Sequence, residues 1–276
     1  MRIDAHQHYW TMKRGDYGWI SPELPVLFRD YLPEHLIPHL KEHRIDGTIV
    51  VQAAATLAET DYLLSLAESS DTILGVVGWL DLNDPQHFSH YERFRKHPKF
   101  VGFRIMIQEM FDASAILDPH FMKALRVYAE EDIPLDLLVV SHQLAPLVRL
   151  LEDIPGIRGV IDHIAKPRIA DGVMEPWLSQ MKEIAKHPKI HCKLSGMVTE
   201  ADHQAWKPED FTAYIRHAIE LFGPERVMFG SDWPVCLLAA SYDQVMDVLE
   251  QALPDSWGER ERGRLFGDNA KEFYKL

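Results

Sequence analysis

The chain has 276 residues, 46% hydrophobic and 26% charged, with 29 Lys and Arg against 42 Asp and Glu and a formal net charge of −13. That length is too long for an ordinary single sandwich and too short for two full catalytic domains. It suits one (β/α)₈ barrel occupying residues 1–276 as a single domain. An acidic surface repels nucleic acid and anionic membranes, which argues against either as the main partner.

Short β-branched runs alternate with amphipathic stretches along the whole chain. Strands are expected at 2–5, 47–51, 73–80, 100–105, 133–140, 158–162, 190–194 and 226–229, most of them apolar on both faces, as parallel strands covered by helices are. Helices are expected between them. In 118–128, Asp118 precedes Pro119 at the first turn. Residues 142–151 and 174–185 carry helical spacing. The segment 208–222 places Phe211, Tyr214, Ile215, Ala218 and Leu221 on one face and stops at Gly223-Pro224. Eight such alternations predict a closed parallel barrel rather than an open doubly wound sheet. Residues 9–32 are irregular, with Trp10, Tyr17, Trp19 and Phe28 among glycines and prolines; they read either as a lid or as a packing loop. Cys192 and Cys236 form no CxxC pair and read as reduced thiols of a cytoplasmic protein. Behind Met1-Arg2 there is no apolar stretch to suggest a secretory signal. No run approaches the roughly 18 apolar residues of a membrane helix.

In such a barrel the chemistry sits at the carboxyl ends of the strands. Strand one ends in His6-Gln7-His8, and residues two apart on an extended chain point to the same side. Both rings can therefore converge on one point, as a divalent metal requires. Strand four carries Arg104, whose charge needs an anion or a wet mouth. Strand five carries Asp136, a candidate partner for Arg104, and is followed by His142. Strand six ends in Asp162-His163, and alternation turns Asp162 away from the side that His163 faces. Lys193 lies near the end of strand seven. Asp232 stands between Gly230 and Pro234 at the exit of strand eight.

These residues, in the motifs Ile3-Asp4-Ala5-His6-Gln7-His8, Gly102-Phe103-Arg104, Ile161-Asp162-His163-Ile164-Ala165-Lys166-Pro167, Lys193-Leu194-Ser195-Gly196, Gly230-Ser231-Asp232-Trp233-Pro234 and Asp268-Asn269-Ala270, resemble the amidohydrolase superfamily of the amidohydrolase-2 type. Trp10 and Gly18-Trp19 resemble its sugar-lactonase branch, which includes fuconolactonases and rhamnonolactonases. Pyrone-dicarboxylate lactonases need more arginines to hold two carboxylates, and only Arg104 stands near a strand end. The resemblance implies the barrel and makes His6, His8 and Asp232 the usual metal and catalytic positions. Arg104 stands where binuclear members have a lysine for carbamoylation. The expectation is therefore either no required cofactor or a single Zn²⁺ on His6, His8 and Asp232, with or without His163.

For a sugar lactone, Asp232 can take a proton from water as general base. Arg104, Lys193, His163 or a metal can stabilise the oxyanion. Trp19, Trp79 or Trp233 can cover a sugar face, with His142 a further contact. Two other readings share these residues. A zinc-dependent decarboxylase would need a firmly held metal, and a barrel that only binds sugar would use the same side chains as contacts. Nothing in the chain points to a partner protein or an oligomeric state.

Overall fold

Eight buried, mostly apolar segments become the strands of one sheet in the computed structural model, which describes residues 1–276. They are β1 (Ile3–Gln7), β2 (Gly47–Val51), β3 (Ile73–Trp79), β4 (Phe100–Met106), β5 (Pro134–Leu138), β6 (Arg158–Ile161), β7 (Ile190–Leu194) and β8 (Val227–Phe229). Each pairs in parallel with the next in sequence. The ring closes just past β8, where Gln7 bridges Trp233 in parallel. There Asp232 N donates to His6 O at 2.8 Å and His8 N donates to Trp233 O at 2.7 Å. The expected (β/α)₈ barrel is the observed fold.

Between the strands lie α1 (Pro33–Glu42), α2 (Leu57–Ser69), α3 (His87–Phe94), α4 (Pro119–Glu130), α5 (Leu144–Asp153), α6 (Trp177–Ala185), α7 (Pro208–Phe222) and α8 (Tyr242–Ala252), and α9 (Glu259–Gly263) and α10 (Asn269–Tyr274) end the chain. The longest, α7, runs between the expected limits. Pro208 fills its first turn, the Asp210 carboxylate accepts from Lys207 N at 2.8 Å, and Gly223 ends it at φ +71°. The predicted start of α5 at 142 is two residues early, because Ser141–Gln143 forms a separate tight turn. The start of α6 falls at Trp177, three residues later than expected. No helix is long and apolar enough to cross a membrane.

The large core lies between sheet and helices. A second, small apolar cluster joins Ile3, Ile49, Val77, Val160 and Met228 to Phe273 and Tyr274 of α10, which closes the amino-terminal end of the barrel. Pairing of β1 with β2 slips between Asp4 and Gln7. This bulge lets the lower part of β1 join the apolar floor while His6 and His8 meet residues across the barrel axis.

Candidate active site

The two histidines of β1 meet as their spacing suggests, with Nε2 of His6 3.3 Å from Nε2 of His8. Nδ1 of His8 lies 2.7 Å from Val51 O, and since a carbonyl only accepts, Nδ1 carries the proton. On the neutral ring Nε2 then presents a lone pair, and it faces Oδ1 of Asp232 at 3.2 Å. Two acceptors at that distance need a cation between them, whereas on a protonated ring Nε2 donates to the carboxylate directly. The same oxygen lies 3.8 Å from Nε2 of His6 and 3.9 Å from Nε2 of His163. A tetrahedral zinc ion with bonds of about 2.0–2.1 Å keeps its donors roughly 3.3 Å apart. His6, His8 and Asp232 therefore fit one divalent ion in donor type and spacing, and His8 also in tautomer, with His163 at the margin.

The chain around His163 is strained. After β6, residues His163, Ile164, Ala165 and Lys166 all take left-handed φ, between +46° and +60°. That region is unfavourable for any side chain and worst for a β-branched one such as Ile164. The turn is fixed from outside: the Trp177 indole donates to Ile164 O at 2.7 Å, and Lys166 N donates to His163 O at 2.8 Å. Ser195 Oγ lies 2.9 Å from Nδ1 of His163 and sets the ring. Gly196 is needed beside it, since its φ is +58° and a Cβ there would lie 2.4 Å from Nδ1 of His163. Asp232 is also left-handed, at φ +56°. Behind it, Asp4 accepts from Ser231 N at 2.9 Å and from the Tyr242 hydroxyl at 3.1 Å, tying the exit of β8 to α8.

Beneath the histidines lies a layer of buried charge. Lys193 Nζ donates to Asp136, and it lies 3.1 Å from both Oδ1 of Asp162 and Nδ1 of His6. The Tyr274 hydroxyl donates to Asp136 at 2.7 Å. Arg104 donates to both the backbone and the side-chain oxygen of Gln52, and its other nitrogen lies 3.6 Å from Asp162. Burial pushes the Asp136 carboxyl up to about 6, with Lys193 only partly opposing it. Burial acts on Asp162 in the same sense, but Lys193 and His6 overcome it and hold that carboxyl well below the ordinary range. Burial drives both His6 and His163 well below the ordinary imidazole range. Burial also raises Asp232, yet His163, His8 and Lys166 outweigh it and keep the carboxylate ionised.

Above these groups opens a cavity of about 180 Å³ at the carboxyl ends of the strands. That is room for one small ring rather than a polymer. Of the residues expected at the site, His8, Trp19, Arg104, His163 and Asp232 line it. His6 stands directly behind His8. Trp19, which brings the 9–32 loop over the pocket, is about two-fifths exposed and anchored by its indole donating to Ala53 O at 2.7 Å. Within that loop Trp10, Tyr17, Ile20 and Leu27 are buried and Phe28 is exposed, so the segment packs at a few anchors and reaches the pocket at Trp19.

Several expectations need correction. Lys193 is wholly buried below the cavity and cannot reach an oxyanion. Trp233 is buried edge-on against Tyr9 and Tyr31. Trp79 faces a neighbouring pocket at the barrel rim. His142 is exposed on its turn and lines no part of the cavity. Arg104 and Asp136 sit in register on adjacent strands but take different partners. Asp162 does not point away from the site. Asp162 falls on the same side as Val160, whose side chain joins the apolar cluster inside the barrel, so alternation itself carries its carboxylate to 3.2 Å from Nδ1 of His6, and the left-handed turn then brings His163 to that side as well. Two residues inside the quoted motifs had no assigned role: Ser195, against His163, and Lys166, on the cavity wall. Ser195 lies two positions after Lys193 and Lys166 three after His163, and that nearness was the signal in the sequence.

A family profile described as amidohydrolase matches residues 3–276. Proteins named L-fucono-1,5-lactonase from Burkholderia ambifaria and Burkholderia multivorans are each 38% identical, over 100% of this chain and 96% of theirs. An amidohydrolase from Burkholderia multivorans, with crystal structures holding bound zinc and bound HEPES, superposes with a TM-score of 0.94 at 38% identity, covering 100% of this chain and 99% of the other. With the profile spanning the barrel from β1 to the last residue, and histidines and aspartate gathered at its carboxyl end, the chain belongs to the amidohydrolase family of enzymes.

Proposed function

We propose that the protein opens the ester ring of a sugar lactone, an aldonolactone such as L-fucono-1,5-lactone, to give the sugar acid. The observation that carries this reading is an ionised carboxylate, Asp232, facing a one-ring cavity beside three imidazole nitrogens. Its support from relatives is the name L-fucono-1,5-lactonase on two full-length matches.

The lactone carbonyl carbon gains a water oxygen, the ring C–O bond breaks, and the freed ring oxygen takes a proton. Asp232 is the general base in this reading: one oxygen faces the histidines, and the carboxylate is ionised at neutral pH and ready to accept the water's proton. Microscopic reversibility lets the same group return that proton to the departing ring oxygen. The product acid then ionises, so each turnover releases one proton. His163, neutral through burial and oriented by Ser195, can hydrogen-bond a substrate oxygen through Nε2. Trp19 covers one face of the sugar ring. A divalent ion held by His6, His8 and Asp232 would supply Lewis-acid polarisation of the carbonyl. Arg104 acts from the side wall, with one nitrogen held by both oxygens of Gln52.

A panel of aldonolactones, read by proton release at neutral pH with and without added zinc, tests the proposal. Turnover of at least one 1,5-lactone, lost in Asp232→Asn, is expected. Folded, zinc-supplied protein that opens none of them would refute it.

A further inference from the structure

Ring opening creates negative charge from a neutral substrate, first on the carbonyl oxygen and then on the carboxylate product. Some donor near the cavity must meet it. Three cations are close to the site, and one of them, Lys193, is spent. Lys193 is buried below the cavity with Asp136, Asp162 and His6 around its ammonium. Arg104 also lines the cavity, but it is only 4% exposed and gives one nitrogen to both oxygens of Gln52, while its Nε has no partner.

The third is Lys166. It lines the cavity, and its ammonium has one anionic neighbour, Glu200, at 3.6 Å, beyond an ordinary hydrogen bond. Its three N–H donors are therefore unspent, and it remains about one-fifth exposed. It ends the left-handed turn that begins at His163, so one strained segment delivers both side chains to the same wall. Strain of this kind persists where the surrounding structure holds it and tends to gather at working sites.

We propose that Lys166 is the cation that receives the acyl oxygens, stabilising the oxyanion and then holding the sugar acid's carboxylate, while Glu200 keeps it aimed before substrate arrives. The inference rests on the lactonase reading. It adds a substrate-contacting residue, and it predicts that affinity for the sugar acid depends on this lysine more than affinity for the lactone does.

The test compares wild type, Lys166→Met and Lys166→Arg, each checked for fold by circular dichroism. Hydrolysis of L-fucono-1,5-lactone gives kcat and KM. Calorimetric titration with sodium L-fuconate, in zinc and in chelator, gives affinity for the acid. Lys166→Met should lower kcat on the order of 10²-fold. It should weaken fuconate binding by about 10-fold or more, with KM for the neutral lactone little changed. Lys166→Arg should recover part of both. Fuconate affinity unchanged in Lys166→Met but abolished by chelator would assign the carboxylate to the metal and overturn the inference. Wild type that binds fuconate through Lys166 yet opens no lactone would leave the inference standing and refute the lactonase reading instead. Wild type that binds no fuconate would overturn the inference.

Discussion

Lys193→Met should damage the protein through the floor of the site rather than through the reacting atoms. The side chain is fully buried, and its ammonium is shared among Asp136, Asp162 and His6. Methionine of similar length fills the space but leaves two buried carboxylates facing each other. Removing one partner of a buried ion pair costs about 3–5 kcal/mol. At roughly 2–4 °C per kcal/mol for a chain of this size, the melting temperature should fall by about 10 °C. The loss should depend on pH. Asp136 already sits at about 6 against an ordinary 3.8, because burial outweighs Lys193. Without the lysine it rises further. A carboxyl whose folded pKa lies above its unfolded one costs stability as pH rises between the two. The deficit against wild type should therefore be smaller at pH 5.5 than at pH 8. Thermal denaturation in chelator at both pH values measures this without metal effects. The double variant Lys193→Met/Asp136→Asn should be more stable than the two single losses added together, by about 1.5 kcal/mol or more. A variant melting within about 2 °C of wild type at pH 8, or a deficit that grows as pH falls, would refute the counter-ion role.

Asp232→Asn keeps the shape of the β8 exit and removes the base, so kcat on a sugar lactone should fall about 10²–10⁴-fold with the circular dichroism spectrum retained. Trp19→Ala should raise KM by about 10-fold, or about 1.4 kcal/mol of binding. The exposed indole's single hydrogen bond, worth about 1 kcal/mol, limits its effect on melting to a few degrees. An unchanged KM with a lowered melting temperature would make Trp19 a packing residue. Gly196→Ala must push the His163 ring aside, since the new Cβ would stand 2.4 Å from Nδ1. It should lower kcat far more than Ser195→Ala, which removes only one hydrogen bond to that ring, and equal losses would show that the ring has room to move.

The barrel was legible because its strands are buried on both faces. Ile190–Leu194 and Gly47–Val51 stand where their β-branched runs put them, and the errors elsewhere are of one or two residues at strand ends. The histidine pair was legible for the same reason, since spacing along a strand fixes direction. What failed was direction past the strand ends. Nothing in Asp162-His163-Ile164-Ala165-Lys166 signals four left-handed residues, and Ile164 by itself favours extended backbone. Alternation from the inward-facing Val160 puts Asp162 inside; it is His163, on the side expected to face the interior, that the turn redirects. Lys193 failed differently. A lysine near a strand end reads as a mouth residue, because its burial is tolerable only if Asp136 and Asp162, 57 and 31 positions away, are there to receive it.

The two failures have one physical origin. A barrel interior admits charge only where charges neutralise one another, so the lower layer spends Lys193 on Asp136 and Asp162 and ties one nitrogen of Arg104 to Gln52. That layer holds His6 from behind and leaves Lys193 nothing to offer a substrate. Further groups for the reaction come from above the strand ends. There the backbone is free to leave the pleat, and a side chain can be turned back over the barrel axis only by an unusual φ. His163, Lys166 and Asp232 are all left-handed, and all three line the cavity.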